Sequence, residues 1–386
     1  MLRNKAILIC SPQKWGDIWL SKHHYAIELA RRGNRVYFLE SPRRKVSLGI
    51  QLTPNRIEGI SSPITIISYS SLVPYWVKFH LPILFRLMVF IQVQRVKRKL
   101  KEELFIVWDF ENNCLYPNLN WFGAEYSIFH PVDKPHGKCP QKNEDFIFSV
   151  SEKILAFFPD SFQKKFINHG LSPLYEKLAK VPPRSIAYTG TIRVGYVGNL
   201  LFSNIDFEAF QFVVESFPEI AFHLIGPYFD SPANNLSGSY KTEAIILDFI
   251  QFLKNQRNVT LYGLKTPVEV ANLISEFDIL FICYKQNQNY LQDNSHKVLE
   301  YLSTGKLIIA SPLSAYQNLE KDLILFAPQG DNLVLSDLMR MATSKLSHFN
   351  SIEKQQKRKQ IALSNTYRSH VDEIEKLLQQ KQKNEK

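Results

Sequence analysis

The chain has 386 residues, 45% of them hydrophobic, and a formal net charge of +11 at pH 7. This length is too great for one typical core and favours two domains, and the apolar content supports well-formed cores. Its four cysteines, Cys10, Cys114, Cys139 and Cys283, contain no Cys-x-x-Cys pair, which argues against a disulfide framework or a structural zinc site and for a reduced, cytoplasmic protein.

The first apolar run, Ala6 to Cys10, stops at Ser11 and Pro12 and is too short for the hydrophobic region of a signal peptide. It reads as a strand within Lys5–Ser11, followed by a helix over Lys22–Arg32 and a strand over Arg35–Glu40, with Gly33 ending the helix. Further strands are predicted at Ile64–Ser68, Phe105–Trp108, Tyr126–His130 and Phe146–Val150, with a helix over Tyr75–Lys101 between the first two. The alternation gives a Rossmann-like domain.

Charge is concentrated here. Residues 1–105 hold 18 Lys/Arg against 6 Asp/Glu, a net of +12, which leaves −1 for residues 106–386. Basic surface suits nucleic acid, anionic lipid or an anionic substrate. The longest apolar region, Pro74–Val93, is interrupted by Lys78, His80, Pro82 and Arg86 and makes a poor membrane-spanning helix. Trp76, Phe79, Leu84, Leu87, Met88 and Ile91, followed by the basic run Arg95–Lys99, have instead the pattern of an interfacial helix, so peripheral contact with an anionic membrane is expected and nucleic acid is not. A core-packing helix with a solvated basic end is the other reading of the same residues.

Residues Leu174–Thr191, with Pro182-Pro183 and little periodicity, read as a linker. Beyond it, strands at Arg193–Val197, Ala221–Ile225, Val259–Tyr262, Asp278–Tyr284 and Lys306–Ala310 alternate with helices at Phe207–Ser216, Thr242–Asn255, Pro267–Phe277 and Ser295–Ser303, which predicts a second parallel α/β sheet. Ile352–Lys386 carries Ile361, Val371, Ile374, Leu377 and Leu378 at helical spacing and reads as a terminal helix with a frayed basic tail.

The densest chemistry lies in Asn294–Ser311. Val298, Leu299 and Leu302 fall at helical spacing, Gly305 is a natural helix stop, and Leu307–Ala310 is a short buried strand. Lys297 and the free N–H groups of that helix start are suited to a diphosphate, and Glu300, one turn on, to ribose hydroxyls. Gly195-Tyr-Val-Gly198-Asn199, at the end of the first strand of the second domain, lets the backbone approach a ligand.

Taken in order, Gly195–Asn199, Phe222–Pro227, Asn258–Gly263, Phe277–Leu280 and Asn294–Ser311 resemble the donor-binding half of GT-B glycosyltransferases over most of residues 190–345. Lys5–Glu40, Asp145–Ser151 and Asn168-His-Gly170 are similar to acceptor domains of the family 4-like (group 1) bacterial polysaccharide enzymes. The resemblance implies an α/β fold of two Rossmann-like domains facing across a cleft. The boundaries would be 1–175 for the acceptor domain, 176–190 for the linker, 191–348 for the donor domain and 349–386 for the terminal helix and tail.

It further implies that Lys297 contacts the donor diphosphate, Glu300 the ribose, Gly198 and Asn199 the phosphate side, and that Tyr262 and Gly263 lie near the base. Many retaining members carry two glutamates eight positions apart; Glu300 matches the second, while Gln292 stands at the first and cannot supply charge to an oxocarbenium-like transition state. On the acceptor side Gly16 and His23 are candidates to line a pocket. Asp133 or His130 would act as the base of an inverting reaction or position the sugar in a retaining one, ahead of Asp109 and Glu111. The implied activity is transfer of a sugar from a nucleotide diphosphate donor to a glycan or lipid-linked glycan in cell-surface polysaccharide synthesis, without a metal, since no Asp-x-Asp pair occurs in these segments. A non-catalytic nucleotide-sugar binder and a nucleotide-sugar epimerase of the same fold are the alternatives.

Overall fold

The computed structural model describes residues 2–16, 19–43, 49–135, 144–185, 188, 190–229, 243–286 and 294–384. By internal contact the chain divides into two units, Met1–Gly170 with Tyr367–Lys386, and Leu171–Thr366.

In the first unit, β1 (Ala6–Cys10), α1 (Ser21–Arg31) and β2 (Arg35–Leu39) are followed by β3 (Ile50–Asn55), β4 (Ile64–Tyr69), α2 (Val77–His80), α3 (Pro82–Leu100), β5 (Ile106–Asp109), β6 (Tyr126–Phe129), β7 (Phe146–Ser149), α4 (Glu152–Leu155) and β8 (Gln163–Phe166). The strands form one sheet in the order β3-β4-β2-β1-β5-β6-β7-β8. Every pairing is parallel except β3 with β4. The continuous apolar runs of β1, β5, β6 and β7 are buried along their whole length, as strands covered on both faces require. Alternation along β1 divides the core: Ile7 and Ile9 enter one layer with Tyr25 and Leu29 of α1, and Ala6, Leu8 and Cys10 enter the other with Val89, Val93 and Val96 of α3.

The second unit contains α5 (Pro173–Ala179), β9 (Arg193–Val197), α6 (Phe207–Ser216), β10 (Ala221–Ile225), α7 (Ala244–Asn255), β11 (Val259–Gly263), α8 (Pro267–Glu276), β12 (Ile279–Ile282), α9 (His296–Thr304), β13 (Leu307–Ala310), β14 (Ile324–Phe326), α10 (Leu335–Ser344), α11 (Leu346–Phe349) and α12 (Ile352–Ser364). Its sheet is parallel throughout in the order β11-β10-β9-β12-β13-β14. Gly195 in β9 is fixed by packing, because a Cβ there would overlap the ring of Phe277. The end of α9 is held by Arg358 of α12, a fully buried guanidinium that donates to the carbonyls of Gly305, Leu323 and Asp322 at 2.7–3.0 Å.

Three local expectations differ from the structure. The Tyr75–Lys101 helix is broken at Leu81-Pro82 into α2 and α3, as a proline at the first helical position allows. The stretch read as linker contains α5, whose Tyr175 and Ala179 pack with Leu299 and Leu302 of α9. The terminal segment is two helices. α12 belongs to the second unit, whereas Val371, Ile374 and Leu378 of the terminal helix (Tyr367–Asn384) complete a core layer of the first. Cys10 and Cys283 are buried free thiols, and Cys139 lies outside the described residues.

Candidate functional site

In the second sheet the chain runs from β9 outward through β10 and β11, then returns to β12 on the other side of β9. Such a reversal opens a crevice outside the carboxyl ends of the two strands that flank it. Three loops are tied together there: Gly198 N donates to Ile225 O at 2.8 Å, Leu200 N to Pro227 O at 2.9 Å, and Gly226 N to Gly263 O at 2.9 Å. The fit leaves no room for side chains, since a Cβ on Gly226 would strike the carbonyl of Gly198.

Lys297, in the first turn of α9, reaches this reversal point. Its Nζ donates to the Tyr284 hydroxyl at 2.7 Å and stands 5.3 and 5.4 Å from the ring centres of Tyr196 and Tyr284. A Cβ on Gly198 would overlap that nitrogen, so the absent side chain is what admits the ammonium. Tyr301, one turn beyond Lys297, accepts from Val197 N at 2.7 Å and ties α9 to the end of β9. A cation at a helix N-terminus opposes the macrodipole. The first turn of α9 carries no acidic residue and its N-cap, Ser295, makes no side-chain capping bond. Among the described residues, positive charge and backbone donors therefore converge with no carboxylate in an ion pair with Lys297, which is the electrostatic form of an anion site.

Glu300 lies on α9 one turn from Lys297. Burial raises its carboxyl to about 7, and Lys297 pulls in the opposite direction. Among the described residues its carboxylate makes no hydrogen bond. Asn199 is exposed and its side chain accepts from Leu201 N at 3.0 Å, holding the loop after β9. Tyr262 is half-buried with its hydroxyl 3.0 Å from Nδ1 of His223, and Gly263 adopts φ +70, a conformation that favours glycine. Gln292 lies outside the described residues. Thus Gly198, Asn199, Lys297 and Glu300 converge on the reversal point, with Tyr262 and Gly263 two strands away at the end of β11. Tyr196, Tyr284 and Tyr301, which position Lys297, had no signature in sequence spacing.

The first sheet reverses between β1 and β5. Asp109 ends β5 fully buried, its carboxyl raised by burial and by neighbouring Glu111, and it accepts from Glu111 N at 2.9 Å. Glu111 accepts from Asn113 Nδ2 at 2.7 Å and Leu115 N at 3.0 Å. Lys22, in the first turn of α1, is also buried. Burial lowers its amine to about 8, while Asp133 and Glu111 pull it back up. Asp133 is half-buried and accepts from Asn112 Nδ2 at 3.3 Å. Lys22, unremarkable in sequence, thus joins the carboxylates.

His130 takes another position. Its ring stacks on Phe110 and Trp108 at 4.9 and 5.9 Å and lies 5.9 Å from both Tyr25 and Phe148. Neither ring nitrogen has a hydrogen-bond partner, and burial lowers the imidazole to about 3. Its place is that of a buried histidine inside an aromatic cage, with burial favouring the neutral ring. His23 is likewise turned inward: Nδ1 accepts from Leu20 N at 3.0 Å, Nε2 lies 3.3 Å from Lys14 O, and the ring stacks on Phe38 at 4.9 Å. These contacts give it a capping role at the start of α1. Gly16 has open space where a Cβ would stand. Among the described residues no group of three or more His, Cys, Asp or Glu side chains is arranged to hold a metal ion.

No family model matches this sequence, and no curated protein matches it. Solved structures do. Sucrose-phosphate synthase from Thermosynechococcus elongatus superposes with a TM-score of 0.65 at 13% identity, covering 97% of this chain and 98% of that one. HepE from Anabaena, solved with UDP, gives 0.64 at 11% identity, with 97% and 99% covered. A UDP-forming α,α-trehalose-phosphate synthase from Burkholderia xenovorans, solved with glucose-6-phosphate, gives 0.63 at 12% identity, with 97% and 99% covered. At such identities the likeness speaks for the fold alone: the chain has the GT-B fold, built from two Rossmann-like units.

Proposed function

We propose that this protein is a glycosyltransferase that moves a sugar from a nucleoside diphosphate donor to an acceptor hydroxyl. The observation that carries the reading is Lys297: an ammonium held by tyrosines over Gly198, beside an uncapped helix start, with Glu300 one turn away. Lys297 and the N–H groups of α9 would receive the diphosphate, and Glu300 the ribose hydroxyls. UDP is the first nucleotide to test, because HepE was solved with UDP and with UDP-glucose.

In the reaction the bond between the anomeric carbon and the β-phosphate oxygen breaks, a bond from the acceptor oxygen to that carbon forms, and the acceptor proton leaves to a base. Negative charge grows on the departing diphosphate, where Lys297 and α9 stabilise it without needing a metal. Of Asp133 and His130, we offer Asp133 first for the acceptor side, since it is half-buried and interacts with Lys22, whereas His130 is surrounded by rings. The acceptor we assign is a glycan or lipid-linked glycan. Similar structures include one solved with glucose-6-phosphate, which makes a sugar phosphate the acceptor to test against it.

The test is incubation of purified protein with UDP-sugars, with and without acceptors and with chelator present throughout. Transfer or slow donor hydrolysis that disappears in Lys297→Ala is expected. Reversible interconversion of the donor sugar with no transfer would replace this reading with that of an epimerase.

A further inference from the structure

Helix α3 is apolar on two sides. Phe85, Val89, Val93 and Val96 face the core of the first unit. On the opposite side Ile83, Leu87, Phe90 and Ile91 recur at spacings of three and four and remain exposed, Ile83 at 86% and Leu87 at 52%. Helix α2 and the turn before it extend the surface with Phe79 at 69% and Trp76 at 56%. Scattered surface apolar residues are ordinary, but a contiguous strip spanning two helices marks an interaction site.

Further along α3 the same outward line becomes polar, through Gln94 to Arg98, with Lys99 and Lys101 exposed beside it. The surface therefore passes along the helix from aromatic and aliphatic to cationic, within the part of the sequence that carries the +12 charge. Among the described residues no helix is long and apolar enough to cross a membrane. We propose that the outer face of α2 and α3 docks on an anionic lipid bilayer, with Trp76, Phe79, Ile83 and Leu87 entering the boundary between headgroups and acyl chains and Arg98 and Lys99 meeting lipid phosphates. Charge complementarity selects this partner: the exposed Arg98, Lys99 and Lys101 that end the strip lie in a region of net charge +12, which an anionic surface complements. Trp76 and Tyr75 supply the amphipathic rings that favour the interfacial layer.

The test is flotation of the full-length protein with vesicles of phosphatidylcholine, with or without phosphatidylglycerol, at low and high salt. Binding is expected with the anionic vesicles alone, weakening as salt rises. Ile83→Glu with Leu87→Glu should lower the bound fraction at least about tenfold and leave the melting temperature unchanged, because both side chains are exposed. Arg98→Gln with Lys99→Gln should abolish the preference for anionic lipid. Absence of flotation, equal binding to neutral vesicles, or a dimer in sedimentation that the double glutamate variant dissolves would each overturn the proposal. UDP binding by the same preparations is measured separately, so loss of this inference and loss of the glycosyl-transfer reading are distinguishable.

Discussion

Each unit places its polar residues at the reversal point of a parallel sheet, but the two handle charge in opposite ways. Around β1 and β5 a cation and carboxylates share one place: Lys22 is drawn toward Asp133 and Glu111, Asp109 accepts from Glu111 N at 2.9 Å, and burial holds four histidines toward the neutral form. Around β9 and β12, among the described residues, the cation meets tyrosines and no ion-pair partner, and the nearby carboxylate, Glu300, makes no hydrogen bond. Unsatisfied charge is costly unless something external completes it. The arrangement in the second unit is the one that an anionic ligand, as proposed above, would complete, and the same architecture in the first unit carries a different arrangement of charge.

The largest effect should come from Lys297→Ala, which we expect to lower turnover by about a hundredfold or more, the scale of losing a donor to a developing anion. Its melting temperature should stay near that of the wild type, because Lys297 supports no core packing. A loss of activity matched by unfolding would make Lys297 a structural cation like Arg358 and erase the contrast between the units.

Two glycines separate site from scaffold more finely. Gly226→Ala forces a Cβ onto the backbone of Gly198 at φ +140 and should destabilise the second unit by about 2 kcal/mol in denaturant unfolding. Gly198→Ala, at φ +159, meets the end of Lys297 and the Tyr196 ring in place of backbone. It should displace the ammonium and weaken UDP binding about tenfold, at a smaller cost in stability than Gly226→Ala. Equal destabilisation by both would show that the loop, and not the cation, is what Gly198 serves.

His130→Phe probes the first unit. Replacing a ring with two unpartnered buried nitrogens by an apolar one should leave stability unchanged or raise it by about 1 kcal/mol. Activity should be retained. A loss of turnover in a stable variant would restore His130 as a functional group.

The smallest expected effect is a divergence with pH. Burial lowers His23, His24 and His370 to about 4 and His130 to about 3, so the unfolded chain takes up protons first as pH falls. The first unit should lose stability between about pH 6.5 and pH 4. Glu300 has the reverse sign. Its folded value of about 7 exceeds the ordinary 4.5 of a glutamate, so a penalty present above pH 7 is relieved as pH falls toward 4.5. Hydrogen exchange at pH 5 against pH 7.5 should show α1 and the terminal helix opening more readily in acid, with no such change at α9. Uniform acid lability would contradict the assignment.

Much of this contrast was legible in the sequence where local pattern and burial coincide. Arg193–Val197, Phe207–Ser216 and Ala221–Ile225 match β9, α6 and β10 end for end, because a continuous apolar run or a helical stripe is itself the packing surface. Other elements carried no such pattern. β3 includes Pro54 and is largely exposed at a sheet edge, and β8 reads Gln-Lys-Lys-Phe, so neither shows the apolar signature of a strand. The terminal helix has a clear stripe, but which core it completes is decided by tertiary packing and cannot be read from periodicity. At the site, Lys297 and Glu300 stood out through spacing on one helix. The tyrosines that hold Lys297 come from two strand ends and a helix interior, and Lys22 meets Glu111 and Asp133 across about a hundred residues of sequence. The surroundings of His130 were not legible, because a histidine ending a strand looks the same in sequence whether it faces solvent or, as here, an aromatic cage.

The most direct test is calorimetric titration of UDP, GDP, ADP and CDP into the wild-type protein, Lys297→Ala and Glu300→Ala. The account predicts that at least one nucleoside diphosphate, UDP first, binds the wild type and loses most of its affinity in Lys297→Ala while the variant stays folded. Absence of binding by all four, or undiminished binding to Lys297→Ala, would contradict the claim that this lysine and the start of α9 form a diphosphate site.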